Sequence, residues 1–351
     1  MKKYPFLLSA IACSLVFGLT GCRLNPFAKQ SAPSAPPHAA AVAAQPLPVD
    51  FTKIQPNEAG EIPILEYHQL IPDTEKVSGY KYHVSDFKND MEKLYSLGYR
   101  PVNLSDMLHG KIDVPAGLSP VVLTFDDSLP GQLDYDDSGK ISPDCVVGIL
   151  QAMHQEHPDW QLKATFFVLP RLGYKDYFFQ PEYSQAKLQW LASNGFELGN
   201  HTIHHLKGIK SWPDSRVEAE FAQAEALIDE NVPGYKVDTL ALPYGVFPKN
   251  QKLVISGESG GVTYHNICAL LAGAGPAPSP VSKRFNPYRL PRIIPGDERF
   301  ALQYWLAYLA KHPIKRYISD GDPNTFTVPA ILASEVDPDR LKATGCMERT
   351  Y

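Results

Sequence analysis

The chain has 351 residues, 44% hydrophobic and 20% charged, with a formal net charge of −5. That apolar content excludes disorder over the whole length, and past the N-terminus no apolar run nears the roughly 18 residues of a membrane span. The acidic balance offers no basic surface for nucleic acid, and no repeat of the kind that builds solenoids or coiled coils is present.

Met1, Lys2 and Lys3 open the chain, and residues 6–19 are an apolar stretch with the layout of a secretory signal. The stretch ends Leu19-Thr20-Gly21-Cys22, which resembles a bacterial lipobox and implies cleavage before Cys22 and a lipid on its sulfur. Cleavage leaves 31 basic side chains against 38 acidic ones. Arg23 stands where an inner-membrane retention Asp would sit, so the expected address is the outer membrane facing the periplasm. Residues 31–50 hold seven Ala and five Pro with no charge before Asp50, a tether rather than a core. The expected organisation is a signal over 1–21, a lipidated tether over 22–58 and a catalytic domain over 59–351, with 315–351 as an appendage. Cys145, Cys268 and Cys346 remain in the domain, an odd number that leaves one unpaired even if two bond, and they lack the spacing of a metal site.

Further along, residues 62–67 read as a strand and 85–97 as a helix, with Phe87, Met91, Leu94 and Leu97 on one face and Gly98 closing it. Strands follow at 121–125, 164–169, 196–199 and 240–242, and helices at 143–154, 183–193 and 214–230. Buried strands alternating with helices predict a parallel sheet covered by helices, and so many units in one domain favour a barrel. Barrel chemistry gathers at the carboxyl ends of the strands.

Four polar groups of interest stand there. Asp126 and Asp127 follow the strand at 121–125, whereas Asp136-Asp137 sit among turn formers and read as loop. His201, His204 and His205 follow the strand at 196–199; residues four apart share a side in helix or extended chain, so His201 and His205 are the pair least sensitive to local geometry. Two imidazoles and a carboxylate with open positions suit a catalytic divalent cation, Zn²⁺ before Co²⁺ or Ni²⁺. Pro243-Tyr244-Gly245 is a tight bend whose N–H groups can face a ligand. His68 ends the strand at 62–67.

Together these resemble the polysaccharide deacetylase family (NodB homology, carbohydrate esterase family 4), over about residues 62–294. Thr124-Phe125-Asp126-Asp127 is similar to its first motif, His201 to His205 to its second, and Pro243-Tyr244-Gly245 to its third. The resemblance implies an α/β fold, a distorted (β/α) barrel of about seven strands. It implies Asp126 as catalytic base and Asp127, His201 and His205 as metal ligands, with Pro243 and Tyr244 at the substrate and the Tyr244 backbone N–H as oxyanion donor. Ile62-Pro63-Ile64-Leu65-Glu66-Tyr67-His68 resembles a subgroup whose acid-bearing strand has moved to the N-terminal end, which makes His68 the acid.

Two departures stand out. Ala241 and Leu242 occupy the place of the arginine that orients the base, so Arg289 or, by preference, Arg292 is expected to replace it. The family's C-terminal Leu-x-His motif is not evident, and residues 316–323 read as a turn between strands rather than a lip of the site. The implied reaction is removal of N-acetyl groups from an N-acetylglucosamine-containing envelope or exported polysaccharide. The alternatives are an O-acetyl esterase or another metal-dependent amide hydrolase on the same site, or an inactive glycan-binding lipoprotein. The expected partners are an acetylated glycan polymer and, through Cys22, the membrane.

Overall fold

The computed structural model describes residues 50–170, 178, 180–205 and 207–351. The signal, Cys22 and most of the tether lie outside them.

A parallel sheet organises the domain. Its strands are β1 (Ile64–Tyr67), β2 (Tyr99–Val102), β3 (Ser119–Asp126), β4 (Thr165–Val168), β5 (Glu197–Asn200), β6 (Thr239–Ala241) and β7 (Cys268–Leu270). Spatial order runs β7-β6-β5-β4-β3-β1, with β2 paired to the first half of β3. The sheet curls until its edges almost meet, and residues 290–293 fill the gap. Leu290 bridges in parallel to Leu270 of β7, and Ile293 to Leu65 of β1. This closing segment completes the distorted barrel expected of the family, and it runs in the same direction as the strands.

Alternation along each strand decides what the barrel contains. Ile64, Val122, Phe167, Ala241 and Leu270 form one apolar cluster inside. Leu65, Tyr67, Val121, Leu123, Phe125 and Phe166 point outward. There they meet helix α1 (Val84–Ser96) and helix α2 (Val146–Glu156). Phe87, Met91 and Leu94 of α1 are fully buried, each worth about 1.5–3 kcal/mol over exposure. Helix α3 (Ser184–Ser193) covers β5, and helix α4 (Asp214–Asn231) packs Val217 and Phe221 against Leu240 and Leu242. At Gly199 an added Cβ would lie 2.5 Å from the Phe167 ring, so glycine there admits that ring to the interior. Helix α5 (Leu302–Lys311) follows the closing segment; Gln303 donates to Asp90 of α1, which also accepts from the Tyr67 and Tyr82 hydroxyls.

Residues 315–351 close the opposite end. The Gly117 N–H donates to Ser319 O and the Ser319 N–H to Leu118 O, beside the first residue of β3. Strands β8 (Thr325–Val328) and β9 (Met347–Thr350) pair in parallel outside them. Residues 316–323 therefore sit at the amino ends of the strands and form no lip of the site. Cys145, Cys268 and Cys346 are all free thiols.

Candidate active site

At the carboxyl ends of the strands the chain departs from ordinary backbone geometry. Asp126 is the last residue of β3 and faces inward; a regular strand would turn Asp127 outward. Instead Asp127 and Ser128 take left-handed φ of 74° and 51°, which swings the second carboxylate back over the first. Thr202, His205 and Tyr244 are left-handed too, at 67°, 50° and 58°. Such conformations are costly for residues other than glycine and collect where a site over-determines them.

Hydrogen bonds hold these bends. The Ser128 hydroxyl accepts from the Leu169 N–H, and buried Gln132 donates to the carbonyls of His68 and Asp126, joining the ends of β1 and β3. In the histidine loop, the Asn200 side chain accepts from the Thr202 N–H and donates to Phe221 O. Glu220 of α4 accepts from the N–H groups of Ile203 and His204 and from the His204 ring. His204 is thereby turned away to the half-exposed side, while His201 and His205 turn in.

Those two imidazoles converge on Asp127. Each Nε2 lies 3.2 Å from its Oδ1. His201 Nδ1 faces the Ala241 carbonyl at 2.8 Å, and since a carbonyl only accepts, Nδ1 carries the proton and Nε2 presents a lone pair. Asp127 Oδ1 and His201 Nε2 are both buried without a hydrogen-bond partner. Buried polar atoms are rarely orphaned, so two aimed at one point, with His205 beside them, fit a cation held by the three side chains. Burial pushes His205 down to about 4, a neutral imidazole fit to ligate.

Asp126 is held differently. Arg292, on the closing segment and 1% exposed, donates from Nη1 to its Oδ1 and from Nη2 to its Oδ2, both at 2.7 Å. Arg292 also donates to Leu271 O and the Thr124 hydroxyl. Burial would raise the Asp126 carboxyl, yet the guanidinium holds it well below the ordinary value. Arg289 is exposed and bonds Gln251 instead. Arg292 thus stands where the third motif lacks its arginine.

Glu66 is a group that sequence reasoning passed over. It is 3% exposed, accepts from the Gly273 N–H, and lies 3.4 Å from Arg292 Nη2 and 4.0 Å from His68 Nε2. Glu66, His68 and Asp126 form a second cluster of potential ligands. The Arg292 guanidinium already occupies the space between its carboxylates, which disfavours a second cation. His68 is largely buried and stacks on exposed Tyr80 at 4.5 Å. Tyr244, 40% exposed, leans on His205 at 4.7 Å, with Lys207 Nζ 4.5 Å above its ring. Pro243 is buried beneath it.

Residues 114–259 match the family model for polysaccharide deacetylase. Among solved structures, the fold is similar to that of a Streptococcus pyogenes deacetylase in complex with acetate (TM-score 0.50, 17% identity, 67% of this chain and 92% of that one). It is also similar to a polysaccharide deacetylase from Bacillus cereus (TM-score 0.50, 14% identity, 72% and 68%). Among curated protein sequences none matches the chain.

Proposed function

We propose that this chain, which carries a polysaccharide deacetylase domain, is a metal-dependent hydrolase that removes N-acetyl groups from an N-acetylglucosamine-containing polymer of the cell envelope. One observation carries the reading: Asp127 and His201 present unpartnered buried ligand atoms to one point, with His205 beside them, next to a carboxylate that an arginine holds ionised and keeps out of the ligand set.

Asp127, His201 and His205 hold the cation. When bound, a divalent ion polarises a carbonyl and acidifies water. Asp126 takes the proton of the attacking water. Each of its oxygens accepts one Arg292 bond, which leaves a lone pair free on each and fixes the plane in which they point. The Tyr244 N–H faces the developing oxyanion, an interaction often worth about 3 kcal/mol when preorganised. His68 returns a proton to the leaving nitrogen, a step worth about 10²–10⁴-fold. An amide needs all of these, because its carbonyl is a poor electrophile and its amine a poor leaving group. Arg292 at Asp126 also argues against an inactive glycan-binding protein, which has no need of an oriented base. In this reading the domain is tethered to the membrane by lipidated Cys22, and its open mouth meets glycan.

The deciding experiment is acetate release from N-acetylglucosamine oligomers with and without chelator, then after Zn²⁺, Co²⁺ or Ni²⁺ is restored, beside a panel of O-acetyl esters. Release that stops with chelator and returns with metal is expected. His205→Ala should lose both metal and turnover, and Asp126→Asn turnover alone. Full activity in Asp126→Asn, or release indifferent to chelator, refutes the scheme.

A further inference from the structure

Beyond the centre, the closing segment leads into a second feature. It runs parallel to β1 and β7, so its carboxyl end emerges at the same rim as Asp126, next to the strand that carries His68. The chain does not leave that rim. The Leu302 N–H donates to Ile294 O and the Gln303 N–H to Gly296 O, which ties the first turn of α5 to the strand end. Between them stands Phe300, with φ of 70° and 46% of its surface exposed.

A bulky residue in left-handed backbone is an outlier, and here burial of the ring does not compensate. The conformation is nonetheless enforced. Trp305 Nε1 donates to the Phe300 carbonyl at 3.0 Å, and the indole is seated so closely on Gly275 that a Cβ there would lie 2.8 Å away. The Phe300 ring meets Tyr304 edge-on at 5.1 Å, and the Arg299 guanidinium lies 4.6 Å from its centroid. An apolar ring face flanked by a phenol and a guanidinium, held outward at a strained position, matches the chemistry of a pyranose: C–H faces for stacking, hydroxyls for hydrogen bonds. Observed strain of this kind points to function rather than to fold.

We infer that Phe300, Tyr304 and Arg299 form a subsite for a sugar ring of the polymer away from the unit being deacetylated, on the His68 side of the mouth. The inference rests on the deacetylase reading. It commits to a glycan because the closing segment ends at the rim that carries His68 and its hydrogen bonds to the first turn of α5 hold the patch beside that strand end.

The test uses the full-length, metal-loaded protein, N-acetylglucosamine disaccharide and hexasaccharide, and Phe300→Asn, since asparagine tolerates left-handed backbone and spares the fold. Tyr304→Ala is a second variant outside the strained position. Acetate release and direct binding of the hexasaccharide by calorimetry are measured in parallel. Each variant should weaken hexasaccharide binding and raise its KM by about tenfold, the scale of one aromatic anchor, with kcat and the disaccharide unaffected. Equal effects at both lengths, or none at either, overturn the subsite while leaving the deacetylase intact. A change in sedimentation without a change in glycan binding overturns it in favour of contact with a second copy. Hexasaccharide that neither binds nor reacts with the parent protein overturns this inference and the deacetylase reading together.

Discussion

Replacing Arg292 with methionine tests its pairing with Asp126. The side chain is buried, and its loss removes both 2.7 Å bonds to Asp126 together with the donors to Leu271 O and Thr124. An unpaired buried carboxylate remains, and breaking such a pair costs about 3–5 kcal/mol. At about 2–4 °C per kcal/mol for a domain of this size, the Tm should fall by roughly 6–20 °C. The sign with pH follows. In the parent protein Asp126 is held below its ordinary 3.8, so the pair stabilises the fold above about pH 4 and is lost only in strong acid. In Arg292→Met the buried carboxyl favours its proton, so stability declines as pH rises and the deficit grows from pH 5 to pH 8. Asp126 then enters the reaction as an acid rather than a base, and kcat should fall about 10²–10⁴-fold with metal content retained. Urea unfolding of Arg292→Met, Asp126→Asn and the double variant closes the cycle; the double variant should cost at least about 2 kcal/mol less than the sum of the singles. Arg289→Met, on the exposed residue, should change stability by no more than about 0.5 kcal/mol. Additive singles, or a deficit independent of pH, would refute the pairing.

Two further outcomes follow from the frame around the centre. Glu220→Ala removes the acceptor for the Ile203 and His204 N–H groups and the His204 ring, and should weaken metal binding by about 10–100-fold in a competition titration, whereas His204→Ala should do less; equal effects would mean the loop is held elsewhere. Burial and neighbouring Asp320 push Glu58 up to about 8, so the folded protein keeps a proton that the unfolded chain, near 4.5, gives up, and stability should fall as pH rises between those values. Glu58→Gln should flatten that decline when thermal unfolding is followed from pH 5 to 9, and parallel curves for variant and parent would show that Glu58 does not cause it.

The parts of the site legible in the sequence are those carried by consecutive residues. Asp126 and Asp127 at the end of a buried run, and His201 and His205 four apart after the next but one, need only the knowledge that strands end there. The bend at Asp127 was legible too, because a strand alternates and two adjacent carboxylates cannot otherwise share a site. What stayed hidden depends on closure of the barrel. Strand β2 is hidden because Arg100 and Pro101 interrupt its apolar pattern, while Cys268–Leu270 is apolar throughout and as readable as the equally short β6. Helix α5 carried a usable signal, since Leu302, Trp305, Leu306 and Leu309 recur at helical spacing, whereas the closing segment over 290–293 is too short to show a period. Glu66 had a usable signal. Ile64, Glu66 and His68 share one face of β1, so placing His68 in the site places Glu66 below it. Gln132 and Glu220 had none, since each acts by reaching across a loop to backbone atoms.

The displaced arginine shows why that boundary falls where it does. Inward residues at one level of a barrel point at a shared axis, so a side chain needed at that level can come from any strand that reaches it. Ala241 of β6 lies inside, and the guanidinium expected near it arrives instead from the closing segment, 166 residues from its partner. The replacement is not neutral. An arginine on the closing segment is beside β1, whose inward residue at that level is Glu66, 3.4 Å from Arg292. Arg292 at 3.4 Å is the nearer counter-charge of this buried carboxylate, with the His68 imidazole at 4.0 Å. One guanidinium thus serves two buried carboxylates, and the orientation of Asp126 depends on β1, β3 and the closing segment together.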